Sequence, residues 1–217
     1  MKRILFFLSL AVLFAGCGKD KINFKESDLV GTWAHLKSVN AYGDVSENLQ
    51  VTEVLKANHE CTTYYSMTSD AGTWELNGRE INIGGAKSTI VSLDGRYLTT
   101  KVVEKEGTYT DTYVKVESLM VGTWTVTWTL GGNAQYATFN AGGTSSWQNA
   151  KNGESMGTPN WTVGVNEYWS RPTVVYSGSN WDEYDTILAV EQDGDQLRVI
   201  DFNGISGIYA RGHLTIQ

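Results

Sequence analysis

From Trp124 to Leu130 apolar and polar side chains alternate one for one. Trp124, Val126, Trp128 and Leu130 fall on one face of an extended chain, and Thr123, Thr125, Thr127 and Thr129 fall on the other. A period of two marks a strand with one face in a core and one in water. Short alternating runs of this kind, broken by turn residues, fill the chain from Gly31 onward. In the first half they cover 31–39, 51–57, 60–67, 72–76, 80–83, 87–93, 97–104 and 109–116. In the second half they cover 123–130, 135–140, 144–149, 160–169, 173–177, 181–191, 196–202 and 206–211. Asn77-Gly78, Asp94-Gly95, Asp193-Gly194 and Asn203-Gly204 sit between runs, where positive φ is needed for tight hairpins. Helix-period patterns are almost absent.

The two halves repeat each other. Leu29-Val30-Gly31-Thr32-Trp33 opens the first, and Met120-Val121-Gly122-Thr123-Trp124 opens the second, 91 residues later (122 − 31). Trp74 and Trp161 lie at matching depths, and Tyr113-Val114-Lys115 and Tyr209-Ala210-Arg211 end the two halves. The predicted fold is all-β: two tandem units, 28–117 and 118–217, each an eight-stranded antiparallel barrel. Neighbour-to-neighbour hairpins suit a barrel, which removes exposed edges by closing on itself. Two β-sandwiches are the competing architecture, because strand spacing does not separate the two.

The N-terminus has another character. Lys2 and Arg3 precede an apolar run from Ile4 to Ala15. It is shorter than the roughly 20 residues that span a bilayer, so 1–16 reads as an export signal. Leu13-Phe14-Ala15-Gly16-Cys17 resembles a bacterial lipobox, whose cysteine becomes lipidated and N-terminal. Cys17 is therefore the expected lipidation site, with 17–27 as a polar tether. Gly18-Lys19-Asp20-Lys21 partly resembles the export tag of surface lipoproteins. The expected address is the cell envelope, anchored to the outer membrane, on either its periplasmic or its external side.

Charge narrows the partners. Without residues 1–16 the formal balance is 15 − 24 = −9, since Lys2 and Arg3 leave the total of 17 bases and 24 acids. That argues against nucleic acid and against docking on anionic lipid. With Cys17 lipidated, Cys61 has no partner in the chain, so the cores must supply the stability.

Each half resembles a lipocalin-like domain of the compact kind found in Bacteroidetes lipoproteins. The matching residues are Leu29 to Trp33, Gly72-Thr73-Trp74, Ile90 to Leu93, and Tyr113 with Lys115. In the second half they are Val121 to Trp124, Trp161, and Tyr209 with Arg211. The resemblance implies that the first-strand tryptophan closes one end of each barrel and that a base on the last strand lies across it. Arg211 over Trp124 fits. Lys115 over Trp33 departs from the pattern, because Lys lacks the planar stacking of Arg, so the first barrel is expected to close less securely.

Candidate chemistry is sparse. His59 and Cys61 share a strand parity and could join His35 around a metal, but the spacing matches no standard site, so no metal and no cofactor are expected. Asp182, Glu183 and Asp185 gather acids beside Trp181 at what reads as a polar strand start. No nucleophile motif or phosphate loop occurs, and no enzymatic activity is expected. The strongest lead is aromatic. Six of the eight tryptophans lie in the second half, and Trp128, Trp147, Trp169, Tyr176 and Trp181 exceed what closure needs. They are the expected ligand-binding residues. The expected partner is a small apolar or amphipathic molecule held in the barrel. The alternative is a glycan or other surface partner on outward aromatics, over solid cores.

Overall fold

A computed structural model describes residues 24–47, 51–105, 107–178, 181–190, 196–201 and 206–213; for 181–190, 200 and 201 it describes the backbone path alone. The expected export signal and Cys17 lie outside these residues, as do Asp193-Gly194 and Asn203-Gly204. Among the described residues no helix is long and apolar enough to cross a membrane.

The first half is one continuous antiparallel sheet. Its strands are β1 Gly31–Asn40, β2 Val45–Glu47, β3 Val51–Leu55, β4 Glu60–Tyr65, β5 Thr68–Asn77, β6 Glu80–Ile83, β7 Ala86–Leu93, β8 Tyr97–Glu104 and β9 Gly107–Lys115. Strand β9 returns to β1 along a register from Trp33↔Lys115 to Asn40↔Tyr109. Strands β1 and β3–β9 therefore form a closed eight-stranded barrel, and β2 extends the far end of β1 as a hairpin.

The second half is also one sheet, built of β10 Gly122–Trp128, β11 Gln135–Phe139, β12 Ser145–Asn149, β13 Ser155–Gly157, β14 Asn160–Asn166, β15 Arg171–Gly178, β16 Trp181–Val190, β17 Gln196–Asp201 and β18 Ser206–Arg211. Its order is β13-β12-β11-β10-β18-β17-β16-β15-β14, and it stays open between β13 and β14. The expectation of two closed barrels is thus corrected to one closed barrel and one open nine-stranded sheet; neither half is a two-sheet sandwich. A proline accounts for the opening. In the barrel, β5 runs unbroken and pairs with β4 through its first part and β6 through its second. The equivalent stretch in the second half breaks into β13 and β14 around Thr158-Pro159. Ser145 donates its backbone N–H to the Pro159 carbonyl at 2.9 Å, but proline has no N–H to return. One bridge, Thr144↔Asn160, survives beside it.

Two short helices precede the repeated strands: α1, Glu26–Leu29, and α2, Val116–Met120. Segments of four or five residues are too short to leave a periodic trace, and tertiary contacts hold them. Their carbonyls receive the closing side chains. The Trp33 indole N–H donates to Leu29 O at 2.7 Å, and the Trp124 indole N–H to Met120 O at 2.8 Å. Lys115 Nζ donates to Asp28 O at 2.9 Å, and Arg211 Nη2 to Leu119 O at 2.8 Å. The basic side chains then lie over the indoles, at 5.5 Å for Lys115 on Trp33 and 4.1 Å for Arg211 on Trp124. This geometry explains the repeated glycine. Gly31 has φ +142°, and a Cβ there would stand 2.5 Å from Lys115 Cε.

The first barrel packs Leu29, Trp33, Leu55, Cys61, Trp74, Ile81, Ile90 and Leu98 at its closed end. The second core joins Trp124, Val126, Phe139, Trp147, Trp161, Tyr176 and Tyr209 to α2 and to Ala34 and Leu36 on the outside of β1. The halves also meet where Thr52 Oγ1 donates to Ser170 O at 2.8 Å and Met67 N donates to Ser170 Oγ at 3.2 Å. Two details of the β10 alternation change. Leu130 lies past the strand and is exposed, and Thr125 is buried, donating to Gly212 O at 2.7 Å.

Candidate functional site

The aromatics singled out in the second half have different surroundings. Trp147 and Tyr176 are core side chains: Trp147 meets Tyr176 edge-on at 5.6 Å and Phe139 at 6.0 Å, and the Tyr176 and Tyr209 hydroxyls are 3.3 Å apart. Trp128 is half-buried. Its ring covers Gly207, where a Cβ would fall 2.6 Å away, and meets Tyr209 edge-on at 6.4 Å. Trp169 is 43% exposed. It lies in the turn after β14 rather than on a strand, edge-on to the exposed Tyr168 at 5.2 Å. The Trp181 side chain, with Asp182, Glu183 and Asp185, lies outside the described side chains. Trp128, Trp147 and Tyr176 pack around Tyr209 as part of the second core, while Trp169 stands apart in a surface turn.

The three candidate metal ligands do not converge. Cys61 is buried at the closed end of the barrel, where burial pushes its thiol up. His59 sits in a turn at φ +66° with its ring stacked on Trp74 at 5.1 Å. His35 points into the barrel from the opposite end. No metal-type cluster of three occurs among the described residues.

A different constellation does converge, inside the closed barrel. Strand pairing identifies the inward positions. Trp33, in the core, is the register partner of both Glu53 and Lys115. Glu53 opposes Thr63, His35 opposes Tyr113, and Thr100 opposes both Ile90 and Asp111. Moving away from the closed end, the interior thus changes from indoles and aliphatics to Glu53, Thr63, His35, Tyr113, Thr100, Asp111 and Ser38. Ser38 reaches this face through an irregularity. The β1–β9 register shifts between His35 and Lys37, and a bulge of one residue returns a side chain three positions on to the same face.

Hydrogen bonds tie the group together. Thr63 Oγ1 donates to Glu53 Oε2 at 2.7 Å, and Ser38 Oγ donates to Asp111 Oδ1 at 2.5 Å. Ser38 Oγ is also 3.0 Å from His35 Nε2. The single Ser38 proton goes to the carboxylate, so neutral His35 must carry its proton on Nε2 and donate to Ser38 Oγ. His35 Nδ1 is then an acceptor; it is buried and has no partner among the described residues. Burial raises the Glu53 carboxyl above its ordinary range, against the lowering effect of Thr63. Asp111 is shifted the other way: burial opposes ionisation, but His35 and Ser38 outweigh it and hold the carboxyl low. Burial, with Glu53 and Asp111 nearby, drives the Tyr113 phenol far up, so it stays protonated.

Ser38, His35 and Asp111 are the residue types of an acyl-transfer triad without its connectivity. A relay needs the base to receive the nucleophile's proton on one ring nitrogen and hold the acid with the other. Here Ser38 and Asp111 both approach Nε2, the acid at 3.8 Å. The arrangement is suited to holding a polar group by hydrogen bonds. Glu53, Thr63 and Tyr113 keep partial solvent access, and the Asp111 side chain is 16% exposed. For inward-facing groups of a closed barrel, that access runs through the open end.

No family model and no curated protein matches the chain. Among solved structures it is similar to a protein of unknown function from the DUF3598 family of Nostoc punctiforme, at 8% identity. That match covers 86% of this chain and 97% of that one, with a TM-score of 0.28. So remote a likeness carries no argument about the site.

Proposed function

We propose that this is an envelope protein, held to the membrane by lipid on Cys17, that binds a small amphipathic molecule non-covalently in the open end of its first barrel. The observation that carries the reading is the solvent access of inward-facing Glu53, Thr63, Asp111 and Tyr113 above an apolar floor. Eight-stranded barrels have interiors that side chains fill or that admit one small ligand, and an apolar pocket with a few convergent polar groups is the usual form of such a site. The packed aromatics of the second half support a structural role there. The test is calorimetric titration with octanol and octyl glucoside, on the native protein and on Thr100→Trp, whose indole would fill the lumen. Saturable binding that disappears in Thr100→Trp, with the near-ultraviolet spectrum of a folded core retained, is expected. No saturable binding to the native protein, or unchanged binding to the variant, would sink the reading. Anchoring is checked separately by detergent-phase partition, which Cys17→Ala should abolish.

A second reading rests on the exposed Tyr168–Trp169 pair. The buried Ser170, at φ +52°, fixes this turn against the first barrel, and aromatic faces held rigidly in water suit a glycan. Quenching of tryptophan fluorescence by an oligosaccharide, lost in Trp169→Ala, would favour it over the barrel.

A further inference from the structure

We infer that the polar group received at the open end of the first barrel is a primary ammonium, carried by a molecule with an apolar body. The inference rests on the barrel-binding reading and adds the charge and hydrogen-bonding sense of the ligand.

The argument is a count of unused hydrogen-bonding capacity. The hydroxyl protons of Thr63 and Ser38 are already given to Glu53 and Asp111. What remains is acceptor capacity: the second oxygen of each carboxylate, and the buried, unpartnered His35 Nδ1. Two inward groups in this set keep a proton to spare, the Tyr113 phenol and the Thr100 hydroxyl, and each can also accept, so unused acceptors still outnumber unused donors. A ligand that completes the site must therefore bring donors, and an ammonium brings three with no acceptor.

Charge points the same way. Asp70, which opposes Thr63 across β4 and β5, adds a third acid at the rim and accepts from the Tyr65 hydroxyl at 2.6 Å. No Lys or Arg takes an inward position at this end among the described residues of β1–β9. Lys37 and Lys101 oppose Thr112 and Thr110, the outward neighbours of Asp111, and Lys87 opposes Asn82, the outward neighbour of Ile81. Lys115 is at the other end, over Trp33. The titratable groups facing the site are therefore His35, Glu53, Asp111 and Tyr113, with Asp70, Tyr65 and Tyr109 at its rim. An anionic head would meet carboxylates with no Lys or Arg to offset them, and His35 is already engaged with Ser38 and Asp111. A neutral hydroxyl would fill one acceptor and leave the others short. An ammonium regains, in charge-assisted hydrogen bonds, what it loses in hydration.

The test compares octylammonium, octanol and octanoate by calorimetry at pH 7 on the native protein. Octylammonium should bind more tightly than octanol by about tenfold or more, the equivalent of one good charge-assisted contact, and octanoate should bind least. Asp111→Asn and Glu53→Gln should each shrink the ammonium-to-octanol ratio, and the use of two variants guards against one failing to fold. Burial raises the Glu53 carboxyl above its ordinary range and a bound ammonium would lower it, so octylammonium binding should tighten relative to octanol as pH rises through the Glu53 titration. Octanoate binding as well as octylammonium, or all three binding alike, would overturn the ammonium assignment and leave the barrel reading standing. No binding by any of the three would remove both.

Discussion

In the first half, an ammonium lies 5.5 Å from an indole; in the second, a guanidinium lies 4.1 Å from its counterpart. Yet the half with the weaker cation contact forms the closed barrel, and the half with the closer stack stays open. The explanation is that each contact ties the first strand to the last, and that seam is paired in both halves: β1 to β9 and β10 to β18. The gap lies elsewhere, at the corner where a single strand must pass from one neighbour to the next. There the first half has Gly72 and the second has Pro159, each two residues before its tryptophan. The registers beyond the corner still match. Cys61↔Gly72 and Thr63↔Asp70 in the first half correspond to Ser145 on Pro159 and Trp147↔Gly157 in the second. One missing donor therefore separates the two topologies, and a strong seam does not make up for it.

The comparison can be broken most forcefully at the shared seam. Trp33→Ala and Trp124→Ala should each cost about 3–5 kcal/mol, the usual price of removing a large buried side chain, measured by urea unfolding. Similar losses would show that closure of the sheet adds little to the worth of the end-packing. Next comes the corner. Gly72→Pro deletes a ladder donor and brings a Cβ to 3.2 Å from Gly84 Cα, so a loss of about 2–4 kcal/mol is expected. The reverse change, Pro159→Ala, restores a donor worth about 1 kcal/mol but frees the unfolded chain by a similar amount. Its net effect on stability should be within about 1 kcal/mol, while the new amide at residue 159 should be protected from hydrogen exchange. A fast-exchanging amide there would mean that something other than the missing donor keeps the sheet open.

At the seam itself, Arg211→Lys should lose about 0.5–1 kcal/mol, since the stacked guanidinium is replaced by a compact ammonium.

The smallest effects should be in the pH dependence, which among the described, partly buried carboxylates is carried by two inside the first barrel. The Asp111 carboxyl is held low, so its contribution is present above its unfolded range and disappears as pH falls through its folded value. The Glu53 carboxyl is held high, so its contribution has the opposite sign: present in acid and lost as pH rises through its folded value. Glu53→Gln should therefore raise the urea midpoint at neutral pH relative to the native protein, with the gain vanishing in acid. A gain of the same size at pH 4 and pH 7 would assign the effect to packing.

Much of the strand framework was legible, because a period of two needs no knowledge of neighbours. The opening run at Trp124, the turn glycines and the repeat at Gly31 and Gly122 follow from local chemistry alone. The short strands β2 and β13 and the two helices were not legible. They are three to five residues long and owe their form to the sheet or core they touch. The candidate site was less visible still. Val51, Glu53 and Leu55 do place a carboxylate on an apolar face, and Tyr109, Asp111 and Tyr113 share another. But nothing local says that these two faces meet, or that a bulge turns Ser38 toward His35. The tryptophans drew attention to the second half because indoles are conspicuous in a sequence, whether they line a space or fill it.

By itself, then, the sequence determined which residues extend, where they turn and which stretches repeat, since those depend on φ preference, side-chain branching and the parity of a strand. Only the tertiary structure decided which half closes and where the polar groups gather. Both are matters of register between strands distant in the chain, and register is set by hydrogen-bond partners, such as the one Pro159 lacks, rather than by the residues of any one strand.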